Sequence, residues 1–223
     1  MKPYYKDNMV TIYHGDCKEV LPTLEPVDLV LTDIPYSRES TGIEFGDDYV
    51  EWLEQRFELA FEILSERCAV VTACSPPQIF LLRRVLEASG FDYKGLHAWC
   101  STASFYPSSF WNPSWEPLMV GSKGKLHMLQ KVGGLEGVNY NDSTVAIRPR
   151  KMEHPATKPI GLFKKYIIGF DAQVVLDPFM GSGTTLRAAK DLGRKSIGIE
   201  IEERYCEIAV QRMLQSAMMF NAV

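Results

Sequence analysis

Two acidic motifs in the sequence carry residue types that could hold a small ligand. The first is the run DPFMGSGTT at residues 177–185, and Glu200 follows it after one predicted helix and one predicted strand. Glycines let a backbone approach a ligand closely, and an acid at a strand end can accept both hydroxyls of a ribose. The run lacks the third glycine of a dinucleotide site and the lysine of a P-loop. Because Asp177 would repel a pyrophosphate and attract a cation, the motif favours a cationic nucleoside such as S-adenosylmethionine.

The second motif is DIPY, at residues 33–36. The carboxylate of Asp33 and the main-chain carbonyl of Ile34 could accept the two hydrogens of an amine on a planar group, while the ring of Tyr36 stacks on that group. Pro35 restricts the residue before it to an extended backbone, which would preserve this geometry. Four residues alone are also typical of an ordinary turn. Beside the first motif they predict a site for a planar amine.

Both motifs begin where a predicted strand ends. Strands that alternate with amphipathic helices predict an α/β fold with a Rossmann-like, doubly wound and mostly parallel sheet. The carboxyl ends of parallel strands meet at one edge, so the two motifs should lie together there. Asp16 follows a further strand, where an acid more often caps a helix than contacts a ligand. Strands are predicted at 10–14, 27–32, 68–74, 91–100, 117–122, 174–176 and 195–201, and helices at 18–24, 49–66, 77–89, 184–192, 202–219 and around 162–167.

Length and composition predict one globular domain spanning residues 1–223. Apolar residues make up 46% of the chain and charged residues 23%, which excludes wholesale disorder. Five scattered cysteines without a Cys-x-x-Cys pair predict neither a disulfide framework nor a metal site, and they favour the cytoplasm. No apolar run approaches the length of a membrane span, and no secretory peptide is expected.

Positive charge is concentrated in one part of an otherwise acidic chain. The net charge is −4, yet residues 117–165 hold 9 basic and 3 acidic side chains. Such a surface can meet a phosphate backbone, although a solvated lysine-rich loop is the simpler explanation. The overlapping segment 101–153 is rich in Ser, Gly, Pro and Asn, which predicts an insertion in the fold. The candidate DNA-binding residues are Lys123, Lys125, Lys131, Arg148, Arg150 and Lys151.

In combination, these motifs resemble those of the S-adenosylmethionine-dependent amino-methyltransferases of DNA, which methylate adenine N6 or cytosine N4. Residues 33–36 are similar to the family's Asp/Asn/Ser-Pro-Pro-Tyr/Phe catalytic motif, and residues 177–185 to its cofactor motif. The motif order resembles the permuted beta group, as does HPATKP at 154–159. Ile34 departs from the pattern, because it replaces the family's first proline. That departure leaves room for a slow or inactive enzyme.

The resemblance implies a role for each candidate residue. Asp33, Ile34, Pro35 and Tyr36 would form the catalytic motif and hold the target base. Glu200 would bind the ribose of S-adenosylmethionine, and Asp16 would lie beside its adenine. The remaining cofactor residues implied by the resemblance are Asp177, Phe179, Gly181, Ser182, Gly183 and Thr184 at the methionine end, and Thr157 and Lys158 near the carboxylate.

The same resemblance implies a reaction and leaves several alternatives open. The target base would be flipped from DNA and methylated by direct in-line transfer, and Asp rather than Ser at position 33 favours adenine over cytosine. RNA, a protein amide or a small molecule could instead be the acceptor, or the protein could bind DNA without catalysis. A homodimer, formed near Trp52 or through the last helix, is also left open.

Overall fold

Eight strands form one sheet in the computed structural model, which describes residues 1–35, 46–100, 115–126 and 158–215. The sheet order is β1-β2-β8-β7-β3-β4-β6-β5, with β2, β8, β7, β3 and β4 parallel and the others antiparallel. The predicted doubly wound, mostly parallel α/β fold is therefore confirmed. The strands are β1 (Tyr5–Lys6), β2 (Val10–His14), β3 (Val27–Asp33), β4 (Leu64–Ala73), β5 (Asp92–Cys100), β6 (Trp115–Ser122), β7 (Val174–Asp177) and β8 (Lys195–Glu200).

Six α-helices in the described residues cover the two faces of the sheet. They are α1 (Cys17–Val20), α2 (Asp47–Ile63), α3 (Ile79–Ala88), α4 (Ile160–Gly169), α5 (Thr184–Asp191) and α6 (Glu203–Leu214). One apolar cluster joins α2 and α3 to the sheet, and a second joins α4 and α5 to it. A right-handed connection places its helix on one face of the sheet when the chain moves towards one edge, and on the other face when it moves towards the other edge. Helices on both faces therefore agree with a chain that runs outward from the centre of the sheet in both directions.

The reversal of direction lies between β3 and β7. From β3 the chain moves to its neighbour β4, whereas from β7 it moves to β8 on the other side. A crevice opens outside the carboxyl ends of two strands at such a switch point, because their connections diverge. Asp33 ends β3 and Asp177 ends β7, so the two sequence motifs flank this switch point.

Two element boundaries differ from those predicted. The helix predicted to reach residue 66 ends at Ile63, and β4 begins at Leu64 rather than at residue 68. Leu64 is buried and lies opposite Val27 in the sheet, so strand pairing overrides the helical pattern there. The short strand β1 was not predicted. Part of the predicted insertion, residues 115–122, forms β6 between β4 and β5, and the rest lies outside the described residues.

Candidate active site

Asp33 lies at the carboxyl edge of the sheet with its two oxygens in different surroundings. Lys158 Nζ donates to Oδ2 over 2.6 Å. Oδ1 is buried and has no hydrogen-bond partner within the described part of the chain. Burial, opposed by the Lys158 ammonium, raises the pKa of Asp33 to about 6. A buried acceptor without a donor is costly, so Oδ1 is suited to an N–H group supplied by a ligand.

Lys158 is buried directly beside Asp33 and contacts a second acid. Its Nζ is 2.9 Å from Glu116 Oε2, in the second residue of β6. Burial would lower the pKa of Lys158, but the two carboxylates outweigh that effect and raise it. The resemblance implied that Lys158 lies near the cofactor's carboxylate. The structure places its ammonium beside Asp33 and Glu116, and its contact with the cofactor's carboxylate stays a prediction.

The backbone of the DIPY motif is held from two sides. The Ile34 N–H donates to the Ala73 carbonyl over 3.4 Å, and the Ile34 side chain is buried in the core. The Tyr49 hydroxyl donates to the Pro35 carbonyl over 2.8 Å, and Gln78 Nε2 donates to that hydroxyl. A proline at position 34 could not make the first of these bonds. Tyr36 lies outside the described residues.

Asp177 lies directly before residues 178–183, the turn between β7 and α5 that is called the glycine turn, and helps to hold it in place. Its side chain is buried and accepts hydrogen bonds from the hydroxyls of Thr32 and Thr185 and from the Phe179 N–H. Burial, opposed by these hydrogen bonds, raises the pKa of Asp177 to about 7. The motif was predicted to place Asp177 against a cation. In the structure both of its oxygens accept hydrogen bonds from the protein, and its interaction with a cation stays a prediction.

The turn that follows packs against α6. Gly183 has a φ of 80°, and a methyl group there would lie 2.9 Å from the Ala209 Cβ, so only glycine fits without displacing the helix. Arg212 Nη1 lies 3.2 Å from the Ser182 carbonyl and 3.0 Å from the Thr184 hydroxyl. Both residues were predicted to bind the cofactor. Their contacts with Arg212 give them a role in positioning the turn.

Glu200 connects the end of β8 to the same turn. Its Oε2 accepts the Gly181 N–H and its Oε1 accepts the Glu202 N–H, each over 2.9 Å. Burial, opposed by these hydrogen bonds, raises the pKa of Glu200. Two backbone donors fix the orientation of the carboxylate at the sheet edge, beside β2, where His14 lies opposite Glu200.

Asp16 is joined to the glycine turn by a stack of side chains. Asp16 caps α1 through the Lys18 N–H and also pairs with Arg56 Nη2 at 2.6 Å. The Arg56 guanidinium lies over the Trp52 ring, and Trp52 stacks on Phe179 with ring centroids 5.7 Å apart. The helix-cap interpretation of Asp16 is therefore confirmed, and its contact with the cofactor adenine stays a prediction.

Two of the six candidate DNA-binding residues are described, and both lie far from Asp33 along the sheet. Because β6 is antiparallel to β4, residues after Ser122 reach the amino-terminal end of β4. There Lys123 Nζ donates to the Phe61 and Glu62 carbonyls, which caps the end of α2, and Lys125 is exposed. Lys123 thus has a structural role at the end of α2, and its contact with DNA stays a prediction. Thr157, Lys131, Arg148, Arg150 and Lys151 lie outside the described residues.

Several residues that shape this site were not singled out from the sequence. Glu116 is one, although an acid within an otherwise apolar strand is itself a signal, because a buried carboxylate needs a partner. Gln78 is another, and its Ser75-x-x-Gln spacing is that of a capping box, which the structure contains. Tyr49, Trp52 and Arg56 lie on the helix predicted at 49–66, where the sequence does not distinguish them from ordinary core and surface residues.

Comparisons with known proteins show the family to which this chain belongs. Residues 27–211 match the family model described as DNA methylase (N6_N4_Mtase). The type II methyltransferase M2.DpnII of Streptococcus pneumoniae is 28% identical, and the match covers 95% of this chain and 92% of that protein.

Solved structures give the same result. The crystal structure of the complex of M1.HpyAVI with S-adenosylmethionine has a TM-score of 0.73 and 28% identity, and the match covers 92% of this chain and all of the other. The cytosine-N4-specific PvuII DNA methyltransferase has a TM-score of 0.78 at 19% identity, over 97% of this chain and 90% of that one, which shows a shared fold. Since the family model spans most of the sequence, the chain belongs to the N6/N4 DNA methylase family.

Proposed function

We propose that this protein transfers the methyl group of S-adenosylmethionine to the N6 amino group of adenine in DNA. The observation that carries the proposal is Asp33 Oδ1, a buried acceptor without a partner in the described residues, at the sheet switch point of a DNA methylase. An exocyclic amine is a weak nucleophile, because its lone pair is delocalised into the ring. Hydrogen bonds from its N–H groups to Asp33 and to the Ile34 carbonyl would favour a nitrogen whose lone pair is exposed.

The charge of the site suits this cofactor. Asp33, Asp177 and Glu200 lie at one edge of the sheet, and burial raises the pKa of each. A cationic ligand lowers the cost of ionising such carboxylates. S-adenosylmethionine supplies an electrophilic methyl group on a sulfonium. We assign its ribose to Glu200, its adenine to the region of Asp16, and its methionine end to the turn around Gly181.

The chain's own residues orient the acceptor. The base must leave the helical stack at a cost of roughly a few kcal/mol, which stacking on Tyr36 would offset. Asp33 then orients the amine for direct transfer, and the product proton leaves to Asp33 or to water. Burial raises the pKa values of Cys17, Cys74 and Cys206 to about 12, so these thiols are poor nucleophiles at neutral pH.

The DNA surface is proposed from the sequence. We assign target recognition to segment 101–153, called the recognition segment. The residues in it that would hold phosphates are Lys123, Lys131, Arg148, Arg150 and Lys151, of which Lys123 also contacts the end of α2. Within the described residues, no helix is long and apolar enough to cross a membrane. The homodimer and the cytoplasmic location stay predictions, and sedimentation velocity would test the first.

The direct test is labelled methyl transfer from S-adenosylmethionine to unmethylated DNA, followed by digestion to nucleosides and mass spectrometry. The proposal predicts N6-methyladenine. N4-methylcytosine would retain the family and overturn the choice of adenine. Measurable binding of cofactor and DNA without any methylated nucleoside would identify a binding protein and overturn the proposed activity.

A further inference from the structure

Asp33 of the DIPY motif is in contact with a charged side chain from a distant part of the chain, and that side chain contacts a third charged residue. Asp33 ends β3, Glu116 lies in β6, and Lys158 precedes α4. The Lys158 ammonium is 2.6 Å from Asp33 Oδ2 and 2.9 Å from Glu116 Oε2. The side chains of Lys158 and Glu116 are 4% and 11% exposed, so solvent screens these ion pairs weakly. Such a buried group is costly to assemble, which argues for a role beyond stability.

The arrangement divides the two oxygens of Asp33 between separate tasks. Lys158 holds Oδ2, so rotation of the carboxylate about its own axis would break a charged hydrogen bond. Oδ1 is thereby kept in a fixed direction and without a partner in the described residues. Glu116 forms a second ion pair with the Lys158 ammonium, at 2.9 Å, which favours the position of the ammonium beside Asp33.

The charges of the group also set the ionisation of Asp33. One ammonium between two carboxylates leaves the group with one net negative charge when all three are ionised. Lys158 therefore favours the charged form of Asp33, whereas Glu116 opposes it. Two further titratable groups face Asp33 from neighbouring strands, namely Asp177 at the end of β7 and the buried thiol of Cys74 after β4. Burial keeps that thiol neutral. Burial also raises the pKa of Asp177 to about 7, so Asp177 is largely neutral below that pH and adds negative charge only above it.

We propose that Glu116 and Lys158 are positioning residues that hold the Asp33 carboxylate with Oδ1 directed at the target amine. This inference rests on the proposed methyltransferase function, because it assigns a task to Asp33. Glu116 acts only through Lys158, and neither residue contacts the methyl group or the base. An ionised Asp33 accepts an amine hydrogen at Oδ1 more strongly than the protonated acid does, so the rate should fall as pH drops below the pKa of Asp33.

The test is the pH dependence of the single-turnover methylation rate in two charge-removing variants. Glu116→Gln removes the negative charge that opposes ionisation of Asp33. The acid limb of the profile, which is the pH range over which the rate falls as the solution becomes more acidic, should therefore move to lower pH by about one unit. Lys158→Gln removes the favourable charge, so the acid limb should move to higher pH by a similar amount. Glu66→Gln removes an exposed acid that pairs with Lys123 at the opposite edge of the sheet, and it should leave the profile unchanged.

Opposite shifts in the two variants would support the proposal, because a purely structural defect lowers the rate without moving the acid limb in opposite directions. Equal shifts, or lower rates with no shift, would overturn it. If Lys158→Gln does not fold, Glu116→Gln alone decides, read by carbon-13 NMR titration of the Asp33 carboxyl. That titration needs no methyl transfer, so it still tests the coupling if the wild-type protein proves inactive and the proposed function fails.

Discussion

At the scale of single residues, Glu200 is the proposed cofactor contact whose orientation the structure defines best. Its carboxylate is already oriented by the N–H groups of Gly181 and Glu202. Glu200→Gln would remove the negative charge of the carboxylate. It would also replace one acceptor oxygen by an amide NH₂ group, which cannot accept the hydrogen bond of the backbone N–H that faces it. We expect the affinity for S-adenosylmethionine, measured by calorimetry, to fall roughly tenfold, which corresponds to the loss of one good hydrogen bond.

The base that is methylated should not change in Glu200→Gln, since this residue lies on the cofactor side of the switch point. Glu202→Gln serves as a control, because its side chain is exposed and only its backbone N–H contacts Glu200. If Glu200→Gln bound the cofactor as tightly as the wild-type protein, the assignment of Glu200 to the ribose would be wrong.

The single residues that the sequence revealed share one property. Asp33, Asp177 and Glu200 are acids at the ends of apolar strands, and a strand end has a known direction in a parallel sheet. The partners of those acids were not predicted. Lys158 is 125 residues from Asp33 along the chain, and no local spacing indicates an ion pair between residues so far apart.

At the scale of elements, α2 connects the two motifs. Its first turn carries Tyr49, which binds the Pro35 carbonyl, and its next turn carries Trp52, which stacks on both Tyr49 and Phe179. Tyr49→Phe would keep the stacking and remove the hydroxyl. We expect the methylation rate constant kcat to fall roughly tenfold, because the DIPY backbone loses a restraint, while cofactor affinity changes little.

A matched control for Tyr49→Phe is available on the neighbouring helix. Ser89→Ala removes a buried hydroxyl that bonds to the Val85 carbonyl at the far end of α3. Both variants should lose about 1 kcal/mol of stability, measured by urea denaturation. Equal kcat values in the two variants would show that Tyr49 contributes only to stability.

The glycine turn depends on α6 in a way that can be measured. Gly183 and Gly193 both have positive φ angles, but a methyl group at Gly193 would meet nothing within 4 Å, whereas at Gly183 it would clash with Ala209. Gly193→Ala should therefore cost only about 1 kcal/mol of backbone strain. Gly183→Ala should cost more and should also weaken cofactor binding, because α6 must shift. Equal unfolding free energies for the two variants would refute this packing argument.

Most elements were predictable because apolar periodicity directly reflects which face is buried. The strands β2, β3 and β7 and the helices α3 and α5 lie close to their predicted positions. The boundary at Leu64 was missed because a helical and an extended continuation both bury that leucine. Pairing with Val27, a residue from another part of the chain, decides between them.

At the scale of the whole molecule, the carboxyl edge and the opposite edge of the sheet carry different functional groups. The carboxyl edge carries Asp33 and the glycine turn, whereas Lys125 lies exposed beyond the opposite end of β6. We expect Lys125→Glu to leave DNA affinity unchanged and Arg150→Glu to weaken it and reduce its salt dependence. Fluorescence anisotropy with a labelled duplex at several salt concentrations measures both. Equal weakening by the two variants would mean that Lys125 also belongs to the DNA surface.

The overall architecture followed from the alternation of strands and helices, but the strand order did not. Neighbours in the sheet such as β3 and β7 are separated by more than a hundred residues, so nothing in their local sequences pairs them. The location of the switch point between Asp33 and Asp177 became visible only when the sheet order was known. That location would let two motifs that are far apart in the sequence take part in the one reaction proposed above.

The central claim is that the Asp33 carboxylate activates the target amine. It is tested most directly by single-turnover methylation of duplex DNA with wild-type protein and with Asp33→Ala, each saturated with S-adenosylmethionine. Asp28→Ala is the control, since Asp28 accepts backbone hydrogen bonds at the other end of β3. We predict that Asp33→Ala, which removes both acceptor oxygens, lowers the rate at least a hundredfold, roughly the contribution of one positioned catalytic group, with cofactor affinity nearly intact. An Asp33→Ala rate close to the wild-type rate would contradict the claim.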